Sequence, residues 1–82
     1  ANDPDAKNID AVLEENITKK KGLRYFIRAI TRWENGTYFT RTTGPQGSGI
    51  LKSMALANSL MVLPEEEENI KKGARVTVRF LE

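Results

Sequence analysis

The dipeptide Asn35-Gly36, set between Leu23–Trp33 and Thr37–Thr43, constrains the fold more than any other feature of the chain. Both residues tolerate positive φ, as a two-residue type I′ turn requires, and that turn twists its flanking strands as a β-hairpin needs. The segment before it is rich in aromatic and β-branched residues, and the segment after it (Thr-Tyr-Phe-Thr-Arg-Thr-Thr) has the same character. A hairpin is therefore expected, with a long first arm.

Further strand signals lie on either side. Ile9, Val12, Leu13 and Ile17 fit a helical period about as well as a broken strand, and a short strand or turn is the expectation there. Leu60-Met61-Val62-Leu63 reads as a buried strand ended by Pro64. Glu65 to Lys72 is a charged connection with Ile70 as its one apolar anchor. From Arg75 to Leu81, Val76, Val78 and Phe80 alternate with Thr77 and Arg79, the period of a half-buried strand. Between Gly44 and Gly49 the run Gly-Pro-Gln-Gly-Ser-Gly cannot continue a strand. After it, apolar residues repeat at i and i+4 (Ile50/Met54, Leu51/Ala55), which predicts one short helix near residues 50 to 58, with Ser48 as its cap. The fold class that follows is all-β with a single short helix, folded as a small β-barrel or β-clip-like sheet.

Eighty-two residues allow one domain with a modest core. The polar opening Ala1-Asn2-Asp3-Pro4-Asp5 reads as the tail of a linker, so residues 1–8 are expected to be a flexible remnant and 9–82 the domain. With no cysteine there is no disulfide framework, and with no histidine the commonest general base and zinc ligand are missing. No apolar run is long enough to span a bilayer as a helix. A cytoplasmic domain without a membrane partner is the expectation. A net charge of +2 is too small to argue for nucleic acid.

Three clusters have chemical potential. On the strand from Leu23 to Trp33 residues two apart share a face. Arg24, Arg28 and Arg32 therefore project together with Phe26 and Ile30 between them, while Tyr25, Ile27, Ala29, Thr31 and Trp33 take the other side. Such arginines either run their stems along the sheet into solvent or present guanidinium forks to anionic oxygens, phosphate above all. In the glycine loop, Gly47 and Gly49 let backbone amides approach a ligand, and an amide-rich helix start attracts an anion; equally, Ser48 serves as a cap and the glycines as turn residues. The run Glu65-Glu66-Glu67-Glu68 reads as a solvated surface. No metal-ligand spacing and no catalytic triad is present, so no catalytic residue is assigned to this domain.

Taken in order, Gly22-x-x-x-Phe26-x-Arg28, the Asn35-Gly36 hairpin, Gly44-x-Gln46-Gly47-Ser48-Gly49, Ala57-Asn58-Ser59-Leu60-Met61-Val62-Leu63-Pro64 and Gly73-x-x-Val76-x-Val78 resemble the C-terminal domain (domain IV) of MoeA-type molybdopterin molybdotransferases, relatives of the gephyrin E-domain. The resemblance runs from about Ile9 to Phe80. It departs at Leu23, where the family usually has arginine, at Glu66 to Glu68, where it often has glycine, and at Ala74, where it has glutamate. The resemblance implies a dimeric parent enzyme that takes adenylylated molybdopterin and molybdate (or tungstate), inserts the metal and releases AMP. Mg2+ would be held by the rest of the parent and not by this domain. It further implies that this domain lines one wall of the substrate cleft, with Arg28 and Ser48 at positions the family uses there, and that it is inactive alone. Two other readings of the residues stay open: a small basic β-barrel stacking nucleic-acid bases on Trp33, Tyr25 and Tyr38 beside the arginines, and a purely structural or protein-docking domain.

Overall fold

A computed structural model describes residues 8–43 and 57–81, and everything below concerns those residues. They form seven strands: β1 (Asn8–Leu13), β2 (Ile17–Thr18), β3 (Tyr25–Glu34), β4 (Thr37–Thr42), β5 (Ser59–Leu63), β6 (Asn69–Ile70) and β7 (Arg75–Phe80). Five close into a barrel in the order β1-β4-β3-β5-β7, and β2 pairs with β6 as a separate two-stranded ribbon. All pairings are antiparallel except β1 with β4.

The hairpin forms as expected. Asn35 has φ 51° and Gly36 φ 84°, the left-handed pair of a type I′ turn. Its first arm is long enough to serve two neighbours. The half from Ala29 to Glu34 pairs with β4, and the half from Tyr25 to Ala29 pairs with β5. Only Ala29 is matched on both sides, to Thr42 and to Ser59. One coiled strand thus joins the two halves of the sheet, and closure follows through β7 and β1.

Period-two alternation fills the barrel. Ala11, Leu13, Ala29, Met61, Leu63, Val76 and Val78 point inward and are buried, and Ile70 on the ribbon joins them from one end. Alanines at 11 and 29 suit a five-stranded barrel, whose axis has little room for larger side chains. A polar layer crosses the same interior: Thr31, Thr40 and Ser59 are buried. Thr31 Oγ1 lies 2.9 Å from Thr40 Oγ1 and 2.7 Å from Ser59 Oγ, and Ser59 Oγ is 3.1 Å from the Ala29 carbonyl. Burying a hydroxyl is tolerable only when it is bonded, and among the described residues no buried side-chain nitrogen or oxygen lacks a partner.

Two features differ from the sequence expectation. The helix near 50 to 58 falls for the most part outside the described residues. Its last two positions, Ala57 and Asn58, are not helical: the Asn58 amide donates to the Ala29 carbonyl and leads directly into β5. The second difference is Lys19, which the basic run Lys19-Lys20-Lys21 presents as part of a polar break. It is only 3% exposed. Its Nζ donates to the carbonyls of Glu67 (2.7 Å) and Lys20 (3.0 Å) and stands 5.2 Å from the centre of the Tyr25 ring. The aliphatic stem covers the end of the barrel while the ammonium holds the Glu65–Glu68 turn against it.

Candidate functional site

The three arginines of β3 share an outer face as the alternation requires, but the structure separates them by their partners. Arg24 Nη2 lies 3.4 Å from Glu65 Oε1. Arg32 is held twice, with Nη1 3.0 Å from Glu14 Oε2 and Nη2 2.9 Å from Glu34 Oε1, and its guanidinium stands over the Phe39 ring at 4.8 Å. Arg28, exposed between Phe26 and Ile30, has no carboxylate partner among the described residues. Of the row of forks, only Arg28 is left to meet an anion from outside this part of the chain.

The Arg24 pair shows on its partner. Glu65 is held below the usual carboxylate range, first by a hydrogen bond with its own backbone amide and then by the positive charge of Arg24.

β4 ends and β5 begins on either side of Ala29, the residue next to Arg28. Thr42 pairs with Ala29 from one side and Ser59 pairs with Ala29 from the other; Gly47, Ser48 and Gly49 fall in the connection between these two strands in the sequence. Those three residues themselves lie outside the described residues. The entry to β5 is fixed by Asn58, whose role pattern reading missed. Beyond Ala29 the β5-facing edge of β3 has no strand beside it among the described residues. The Asn58 amide replaces one, accepting from the Thr31 N–H at 2.9 Å and donating to the Thr31 carbonyl at 2.9 Å. Its Oδ1 also lies 2.9 Å from Ser59 Oγ, which ties this end of the loop to the buried hydroxyl layer. The signal was present as the Ala57-Asn58-Ser59 run, but no spacing rule identifies a side chain that mimics a strand rung.

The other clusters fare differently. Glu65 to Glu68 are all exposed, in keeping with a solvated run. Among the described residues no three acidic side chains gather as a cation site, and Glu14, Glu34 and Glu65 are committed to arginines. Base stacking beside the arginines finds no geometric support. Trp33 and Tyr25 have the opposite parity to Arg28, Tyr25 packs against the core, and Tyr38 is wedged between Trp33 and Phe80 with ring centres 4.8 and 5.9 Å away.

The described residues thus form a five-stranded closed barrel in which Arg28, alone of the β3 arginines, has no carboxylate partner. Comparison with known proteins identifies the family. Residues 10–81 match the family described as the MoeA C-terminal region (domain IV), and the chain belongs to it. It is 34% identical over 76 residues to molybdopterin molybdenumtransferase 2 from two strains of Mycobacterium tuberculosis, an alignment that takes in 93% of this chain and 18% of the relative. Among solved structures it superimposes on the molybdopterin biosynthesis MoeA protein of Pyrococcus horikoshii with a TM-score of 0.71 at 29% identity, covering 92% of this chain and 19% of that one. A molybdenum cofactor biosynthesis protein of Pyrococcus furiosus gives 0.69 at 28% identity, covering 92% and 26%. The chain thus spans about a fifth to a quarter of the length of these relatives.

Proposed function

We propose that this chain is the accessory wall of a molybdenum-cofactor enzyme that inserts molybdate (or tungstate) into adenylylated molybdopterin and releases AMP. The observation that carries the reading is the state of Arg28: alone of its row, it has no carboxylate partner among the described residues, and it is next to Ala29, where β4 ends and β5 begins. A guanidinium fork suits a phosphate or molybdate oxygen, and backbone amides and a hydroxyl from the loop would add further donors. The parent acts as a homodimer, and its larger domains supply the rest of the site, Mg2+ ligands included. This domain by itself releases no AMP from adenylylated molybdopterin.

The experiment is molybdate-dependent AMP release by the full-length parent carrying Arg28→Ala, Ser48→Ala or Arg32→Ala. Losing a hydrogen bond to a charged group costs about 1.5–3 kcal/mol, roughly ten- to a hundredfold in rate. Arg28→Ala is expected to lose that much, and Arg32→Ala, already neutralised by Glu14 and Glu34, little. Thermal melts accompany Ser48→Ala, because removing a helix cap alone costs about 1 kcal/mol. Wild-type turnover in Arg28→Ala would remove the arginine from the site. Turnover lost equally in Arg28→Ala and Arg32→Ala would show a general charge effect instead.

A further inference from the structure

The outer face of β3, β5 and β7 carries more apolar surface than an unaccompanied barrel wall needs. Phe26 is 60% exposed. Across the sheet it pairs with Val62, and Arg28 in the next row pairs with Leu60; both aliphatic residues are half-buried, as is Ile30 one row further. Guanidinium groups rim this strip. Arg28 and Arg79 flank Leu60 from the two neighbouring strands, and Arg41 pairs with Ile30. None of the three has a carboxylate partner among the described residues, where Arg79 instead donates through Nε to Asn8 Oδ1 at 3.0 Å. Asp10, opposite Thr77, is the one acidic residue of β1 at the edge of this face.

We infer that the Phe26–Val62–Leu60 strip is the surface on which another domain of the same parent polypeptide docks, through an apolar socket for Phe26 edged with aspartate or glutamate. This rests on the reading of the chain as one domain of a larger enzyme.

Three observations select that occupant. A two-fold contact between copies of this face would set three guanidiniums and one carboxylate against the same set, a net repulsion on both sides. Nucleic acid would satisfy the arginines but not the aliphatic strip, since Phe26 is the one ring on the outer face of β3, β5 and β7, and Phe39 on β4 is already covered by Arg32. Relatives about three and a half to five times as long supply, in the same chain, a partner at high effective concentration. A buried aromatic centre with a charged rim is the usual anatomy of such contacts. Arg28 lies two residues, or about 7 Å, along the strand from Phe26. It therefore falls at the border of the docked area, where a crevice between domains opens.

The test places the photocrosslinking residue p-benzoylphenylalanine at position 26 of the purified full-length parent, separates single-chain from two-chain products on a denaturing gel, and maps the single-chain product by peptide mass spectrometry. The expected result is one dominant crosslink, to a segment outside residues 1–82 of the same polypeptide and beside acidic residues. A crosslink to residues 8–81 of a second copy, a crosslink to co-purifying nucleic acid, a crosslink to a segment without acidic neighbours, or no crosslink would each overturn the assignment. The outcome is separable from the fate of the anion reading: a crosslink as expected together with wild-type turnover in Arg28→Ala would keep the docking face and remove the arginine from catalysis.

Discussion

Replacing Thr31 by valine keeps the shape of a buried side chain and deletes one oxygen. That oxygen bonds Thr40 and Ser59 at 2.9 and 2.7 Å. Ser59 keeps its contacts with the Ala29 carbonyl and Asn58 Oδ1, but Thr40, fully buried, loses the one side-chain partner described for its hydroxyl. Leaving a buried polar group unsatisfied costs about 1–3 kcal/mol, whereas replacing both partners by apolar groups of the same shape is close to neutral. Thr31→Val should therefore destabilise the domain by about 1–3 kcal/mol, a fall in Tm of about 4–8 °C per kcal/mol for a domain of this size. The double variant Thr31→Val/Thr40→Val should recover part of that loss. Urea melts of wild type, both single variants and the double variant form the cycle that measures it. A double variant less stable than Thr31→Val by the full cost of Thr40→Val would refute the reasoning, because the two hydroxyls would then contribute independently.

Lys19→Met keeps the stem that covers the barrel end and removes the ammonium that binds the Glu67 and Lys20 carbonyls. Stability should fall by about 1–3 kcal/mol, and amide exchange should quicken at Lys19 and Gly22, whose N–H groups donate to Glu68 and Glu65; unchanged protection there would show that the turn holds without it. Because the Glu65 pKa is lowered in the folded chain, its contribution is present above the ordinary value of 4.5 and is lost as pH falls through the folded value. Carbon-detected titration should place the Glu65 midpoint below 4.5 and Arg24→Ala should raise it; a midpoint that ignores Arg24 would assign the shift wholly to the backbone.

The parts of the fold written in short-range chemistry were legible in the sequence. Asn35-Gly36 specified its turn through positive φ, and the alternation at Val76, Val78 and Phe80 specified a strand with one face inward. Closure of the barrel was less legible, because it depends on β3 changing partners at Ala29, and a period-two pattern names a face but not a neighbour. Lys19 was hidden for a related reason: its burial comes from a turn 48 residues away whose Glu67 carbonyl accepts from its ammonium, and no local rule buries a lysine among lysines. The arginine row was readable as a row, yet which member stays unpaired was set by Glu14, Glu34 and Glu65. Of these, only Glu34 lies on β3 itself.

The account turns on Arg28 meeting an anionic substrate, and equilibrium binding of adenylylated molybdopterin to the full-length parent, with molybdate withheld so that no turnover intervenes, tests it most directly. Loss of one charge-assisted contact predicts a Kd raised about ten- to a hundredfold in Arg28→Ala. The increase should shrink as salt rises, and Arg32→Ala should bind as wild type does. Equal Kd values for wild type and Arg28→Ala at low ionic strength would contradict the account.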